Sequence, residues 1–170
     1  MAPVDIGLLV VRVAVGAVML AHGWNHVFGG GKIAGTGRWF ESLGMRPGWL
    51  HAWTASLTEL GAGVLLLLGL LTPLAAAGVV GIMVVAWVTN HLRNGFFIFR
   101  PGEGWEYVMT LGAAGLALCF TGGGSISLDG ALDVGAPGWA VAAGCAGGGL
   151  GLAGLTLAIF WRPPARPDAA

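Results

Sequence analysis

Charged residues are scarce in this sequence. Asp, Glu, Lys and Arg together make up 9% of the 170 residues, whereas soluble domains contain roughly a quarter. Hydrophobic residues make up 56% of the chain, and its mean hydropathy is +0.80. Because so few charges cannot cover the surface of a soluble domain, the composition indicates an all-α integral membrane protein. A formal net charge of zero, without a basic block, also excludes nucleic acid as a partner.

Cysteine and cofactor motifs are equally scarce. Cys119 and Cys145 are far apart in the sequence and form no C-x-x-C pair, which argues against dithiol exchange. The chain has no cysteine cluster for iron–sulfur, no flavin motif and no nucleotide-binding pattern. We therefore expect that it is not an enzyme alone, and that any redox role requires electrons from a partner. One Lys against seven Arg, with abundant Gly and Ala, suggests a GC-rich bacterial genome.

What the sequence does contain is a series of long apolar runs. They predict a single membrane domain over residues 1–170 with five spans, at about residues 4–28, 50–71, 73–92, 105–120 and 137–161. No Lys or Arg precedes the first run, so we expect it to remain as a helix rather than to be a cleaved signal. Thr36 is expected to cap a short amphipathic turn that Gly44 ends, and residues 162–170 are expected to form a short disordered cytoplasmic tail.

The basic residues predict an orientation. With five spans, all seven Lys and Arg residues outside the apolar runs fall on one side of the membrane: Lys32, Arg38, Arg46, Arg93, Arg100, Arg162 and Arg166. The other side carries Asp5, Asp129 and Asp133. The positive-inside bias then predicts a multi-pass protein of the bacterial plasma membrane, with its N-terminus outside and its C-terminus in the cytoplasm.

A few polar side chains interrupt the apolar runs, and the predicted spans bring most of them to the cytoplasmic end of the bundle. The candidates for contact with a ligand or quinone are Arg12, His22, Glu59, His91, Glu106 and Tyr107. Because a charge within the bilayer costs at least about 2.5–3.5 kcal/mol, we expect Arg12 and Glu59, at comparable depth, to pair. That pair either fixes the register of the helices or serves a cavity that binds a polar headgroup.

The histidines allow several interpretations. His22 and His91 are either hydrogen-bonded between helices, in contact with a quinone or other ligand, or axial ligands of a haem. His26 and His51 lie near the predicted interface and are expected to be solvated. A metal site built from His22, His26 and Glu106 has acceptable ligand types, but the spacing is unspecific and no metal site is predicted.

The last apolar run is rich in glycine. Gly144 and Gly148, and likewise Gly147 and Gly151, form small-xxx-small pairs that allow close approach of helices in lipid. They are expected to dock either on the protein's own bundle or on another subunit, in a homo-oligomer or a larger complex.

Several of these motifs together resemble the DoxX family of small bacterial membrane proteins. The resemblance covers about residues 5–133 and includes His22-Gly23, Gly35, Phe40, the run from Glu59 to Ala76, Glu106, and Ser127-Leu128-Asp129. It implies a four-helix membrane bundle linked to oxidoreductase systems, in some members as a subunit of thiosulfate:quinone oxidoreductase, and it points to His22, Glu59 and Glu106. Two features depart from the family: Asn25-His26 replaces a usual Lys, and a fifth span follows the bundle.

Three functions follow as hypotheses. The first is a membrane subunit of a redox system, with quinone as its ligand and other oxidoreductase subunits as partners. The second is a small-molecule transporter or permeability factor, since buried ionisable residues on facing helices also mark substrate pathways. The third is a structural or assembly subunit, in which the polar cluster only holds the helices together.

Overall fold

In the computed structural model, which describes residues 2–164, helices and loops account for the fold. The helices are α1 (Pro3–Phe28), α2 (Lys32–Ser42), α3 (Gly48–Leu68), α4 (Thr72–Ala86, extended by one π-helical turn at Trp87–His91), α5 (Glu106–Thr121), α6 (Leu128–Ala131) and α7 (Trp139–Phe160). The prediction of an all-α membrane protein is confirmed. Of the predicted tail, residues 165–170 lie outside the described part of the chain.

Among the described residues, four helices are long and apolar enough to cross a membrane: α1, α3, α4 with its π turn, and α7. The fifth apolar helix, α5, has 16 residues, which gives it a length of about 24 Å, against about 30 Å for the hydrocarbon core of a bilayer. Trp105 precedes α5 directly, and its indole packs against the rings of Trp87 and Phe96, with centroids 5.4 and 4.8 Å away.

The bundle consists of α1, α3, α4 and α5, and α7 packs outside it against α4. Glycine permits a close crossing of α1 and α3. A Cβ at Gly63 would lie 2.6 Å from Leu20 Cγ and 2.9 Å from the Gly16 carbonyl oxygen. In lipid, where apolar surface gains little by leaving the solvent, such close backbone contact provides much of the packing energy.

The two ends of the bundle differ in their polar contacts. At one end, here called the Asp129 end, α1 begins and α3 ends. The Asp129 carboxylate, 5% exposed, accepts hydrogen bonds from the backbone N–H groups of Leu71 (2.8 Å) and Thr72 (2.9 Å). These N–H groups lie at the start of α4, where the first turn of a helix has no intrahelical acceptors.

Arg12 also belongs to the Asp129 end. Its side chain is 1% exposed, and its guanidinium donates to the carbonyl oxygens of Leu66 (2.8 Å) and Ile126 (2.5 Å). Leu66 lies in the last turn of α3, where carbonyl groups lack intrahelical donors and a cation is favourable. The predicted pairing of Arg12 with Glu59 is therefore wrong: Arg12 ties α1 to the end of α3 and to the loop before α6.

At the other end, here called the His26 end, α2 lies across α1 and α3. The predicted short turn is a helix of 11 residues that begins at Lys32, four residues before Thr36. Thr36 is therefore inside the helix rather than its cap, and its hydroxyl donates to the carbonyl oxygen of His26 at 2.8 Å. This bond fastens α2 to the last turn of α1.

Candidate functional site

A cavity of about 490 Å³, open on one side, lies at the His26 end and is lined by residues of the first five helices. Ligand sites in proteins have volumes of about 300–1,000 Å³ and combine apolar walls with a few polar groups. The polar side chains that line this cavity are His22, Asn25, His26, Thr36, Glu59, Thr89, Asn90, His91, Glu103 and Tyr107. Within residues 2–164, its lining includes neither Lys nor Arg, and the carboxylate of Glu59 is the acidic side chain that enters the bundle most deeply.

His26 and Glu59 form the central pair of the cavity. His26 Nδ1 lies 2.9 Å from Glu59 Oε2, and the two side chains are 15% and 5% exposed. The distance is that of an ion pair, yet the two groups are not aligned for a hydrogen bond, and neither atom has another partner among the described residues. A buried carboxylate is costly unless it is paired and hydrogen-bonded. His26 Nδ1 and Glu59 Oε2 can therefore form hydrogen bonds with a ligand in the cavity.

Gly23 explains why this pair forms. Located one turn before His26 on α1, it faces α3, and a Cβ there would lie 2.8 Å from Leu60 Cγ and 3.1 Å from Glu59 Cβ. The absence of a side chain lets α1 approach α3 closely enough for the imidazole to reach the carboxylate.

A second pair joins α1 to α5. Tyr107 Oη lies 2.8 Å from His22 Nε2, and the two rings stack with their centroids 5.7 Å apart. His22 and His26 are four residues apart and so share one face of α1. The same face of α1 therefore contacts Glu59 on α3 through His26 and Tyr107 on α5 through His22.

His91 occupies the π turn at the end of α4. Its Nδ1 lies 2.9 Å from the Glu103 carbonyl oxygen and its Nε2 lies 3.2 Å from Asn90 Nδ2. Since a carbonyl oxygen can only accept, Nδ1 carries the proton and Nε2 accepts from the Asn90 amide. Both ring nitrogens are used within the chain, as is His22 Nε2. This arrangement favours the interhelical hydrogen-bonding interpretation of His91 over axial ligation of a haem.

The six predicted site residues divide into two groups. Four of them, His22, Glu59, His91 and Tyr107, line the cavity together. The other two, Arg12 and Glu106, do not belong to its lining. The Glu106 carboxylate accepts from the Ile98 backbone N–H at 3.0 Å and so fixes the loop before α5.

His26 and His51 differ from their predicted solvated state. His26 lines the cavity and faces Glu59; its spacing from His22 was the signal that could have identified it. His51 is 5% exposed, because its ring packs edge-on against Phe160 (centroids 5.1 Å apart) and lies 6.3 Å from Phe40. Asn25 and Asn90 are further cavity residues absent from the predicted set.

Over residues 2–164, no three His, Cys, Asp or Glu side chains converge as a metal site requires. The fold and the cavity define an α-helical membrane protein with a polar cavity at one end of its bundle.

Comparison with known proteins identifies the family. Residues 7–92, half of the chain, match the DoxX family, and the chain belongs to it. The match covers α1 to the end of the π turn and therefore includes His22, His26, Glu59 and His91, but not α5 or α7. No curated protein and no solved structure matches the chain significantly.

Proposed function

We propose that this DoxX protein is a membrane subunit of a redox system and that its cavity binds the headgroup of a lipid-soluble quinone. The observation that carries the proposal is the His26–Glu59 pair, a buried carboxylate and imidazole that face each other without a completed hydrogen bond. A quinone oxygen can accept from a protonated histidine, and its reduced form can donate to a carboxylate.

The chemistry of reduction assigns a role to each pair. Reducing one quinone to a quinol takes two electrons and two protons. In this proposal the electrons come from a partner oxidoreductase subunit, because the chain contains no redox centre motif. The protons reach the headgroup through His26 and Glu59, since the imidazole and the carboxylate face each other in the cavity lining, while the His22–Tyr107 pair orients the ring. The cavity end faces the cytoplasm in this scheme, as the basic residues predict.

Binding of a quinone headgroup in nanodiscs tests the proposal directly. The probe is a tail-free benzoquinone, and quenching of tryptophan fluorescence reports binding, because Trp39 lines the cavity. Glu59→Gln should weaken binding of the reduced probe, the tail-free hydroquinone, at least about tenfold, because its hydroxyl can donate to the carboxylate and a hydrogen bond to a charged group contributes roughly 1.5–3 kcal/mol.

Glu106→Gln is the matched control. The same charge is removed outside the cavity lining, and the amide oxygen can still accept from Ile98, so binding should remain within about twofold of the wild type. Equal losses in both variants, or no saturable binding to the wild type, would refute the proposal. In the latter case, uptake into liposomes would test the transporter hypothesis.

Purification from native membranes in a mild detergent tests the partner. Recovery of a flavin, thiol or iron–sulfur oxidoreductase subunit at defined stoichiometry is the expected result. Recovery of this chain alone, as a homogeneous oligomer, would contradict the redox-subunit proposal.

A further inference from the structure

A second, apolar groove runs along the outside of the bundle. It has a volume of about 580 Å³ and lies over α4, between α3 and α7. Its lining extends from Thr54 to Leu65 on α3 and from Gly144 to Thr156 on α7. At 1.5 Å per residue this corresponds to a length of about 16–18 Å, close to half of the roughly 30 Å hydrocarbon core.

The groove adjoins the polar cavity. Ala55, Ile82 and Val85 line both spaces, so these three side chains lie between the two. All three lie near the His26 end of the helices that carry them. A molecule with its polar head in the cavity and its apolar chain along the groove would therefore pass between these three side chains.

We propose that this groove holds the single apolar tail of the ligand whose headgroup occupies the cavity, an assignment that rests on the proposed function. The charges select an uncharged head over a phospholipid. Within residues 2–164, the residues that line the cavity include Glu59 and Glu103 but no Lys or Arg. A phosphate in the cavity would lie near the Glu59 carboxylate with no cation among the lining side chains, whereas a quinone carries no charge.

The glycines of α7 provide the test. Gly144 and Gly148 line the groove, whereas Gly147 and Gly151 do not. A Cβ at any of these four positions meets no atom within 4 Å. Leucine can therefore be introduced at Gly148 to fill the groove, and at Gly147 to leave it open, on the same helix and without a steric clash at Cβ. Gly61→Leu fills the groove from α3, again with no atom within 4 Å of its Cβ.

The experiment compares two probes in nanodiscs: the tail-free benzoquinone and the same headgroup with a decyl tail. Gly148→Leu should weaken binding of the tailed probe at least about fivefold, because overfilling a packed site is costly, and leave the tail-free probe unchanged. Gly147→Leu should bind both probes as the wild type does. If Gly148→Leu fails to fold, Gly61→Leu should give the same result.

Each other outcome overturns a different statement. Unchanged binding of the tailed probe to both groove variants refutes the tail site and leaves the headgroup site intact. No binding of either probe to the wild type refutes both proposals. If Gly148→Leu instead releases a co-purified phospholipid and binds both probes normally, the groove is a site for bilayer lipid and the tail assignment is wrong.

Discussion

Replacing Arg12 with leucine separates a structural role from a role in the cavity. The guanidinium is buried at the Asp129 end and donates hydrogen bonds to the carbonyl oxygens of Leu66 and Ile126. Glu59, the partner that the sequence predicted, instead faces His26. If these contacts describe the role of Arg12, the variant loses stability and keeps ligand binding.

The magnitude follows from the two carbonyl groups. Leu66 keeps a second donor, the Gly69 backbone N–H at 3.2 Å, so it loses only its bond to a charged group. Ile126 loses the donor that the structure shows for it, and an unsatisfied buried acceptor costs about 1–3 kcal/mol. Removing a charge from the membrane offsets part of this cost, although the charge is also present in the unfolded, inserted state. We therefore expect Arg12→Leu to lower the free energy of unfolding by about 1–3 kcal/mol.

Equilibrium unfolding in mixed micelles, followed by tryptophan fluorescence, measures this loss, and headgroup binding is measured on the same preparation. Arg38→Leu is the control, since it removes an exposed arginine from α2 and should change neither quantity. If Arg12→Leu unfolds like the wild type but no longer binds the headgroup, the structural assignment is wrong and Arg12 acts on the cavity after all.

Two further predictions concern the fold. Asp129→Ala removes both acceptors at the start of α4 and should lower the free energy of unfolding by about 1–2 kcal/mol, as loss of a helix cap does. Asp133→Asn, which removes an exposed carboxylate just after α6 and tolerates the positive φ of 55° there, should have no effect. Gly63→Ala places a Cβ 2.6 Å from Leu20 Cγ and should cost about 1–3 kcal/mol by forcing α1 from α3. Gly61→Ala, with no atom within 4 Å of its Cβ, should leave stability unchanged or raise it. Unfolding in mixed micelles checks both, and equal effects of the paired variants would contradict the packing described.

The helices could be predicted from the sequence because long apolar runs end at strong local signals. Gly29 follows α1, Gly69 follows α3 with a positive φ of 65°, and Gly122 follows α5 with a φ of 69°. Each predicted span agrees with a helix to within three residues at either end. The same order of spans predicts a cluster of His22, His26, His91, Glu106 and Tyr107 at one end of the bundle, with Glu59 deeper. All of these except Glu106 line the cavity.

The partners of the charged residues could not be predicted in this way. In the sequence, the membrane depth of a residue can only be judged from its distance to the end of an apolar run. With 26 residues, α1 is about 39 Å long, so its ends extend beyond the hydrocarbon core. This shifts Arg12 toward the Asp129 end, away from Glu59. The position of α2, which covers His26, depends on packing between elements distant in sequence and leaves no periodic signal.

The hydrogen bonds among the cavity side chains also indicate which residues distinguish a ligand site from a purely structural cluster. His91 uses both ring nitrogens within the chain, and His22 Nε2 is occupied by Tyr107, so these groups already act as contacts between helices. His26 and Glu59 differ, because their facing atoms are buried and lack a completed hydrogen bond within residues 2–164. A half-satisfied polar pair is worse for stability than an apolar one of the same shape. Replacing both residues with apolar side chains should therefore raise stability under either function. Ligand binding separates the two: a headgroup site would lose its ligand in the double variant, whereas a structural subunit has no ligand to lose.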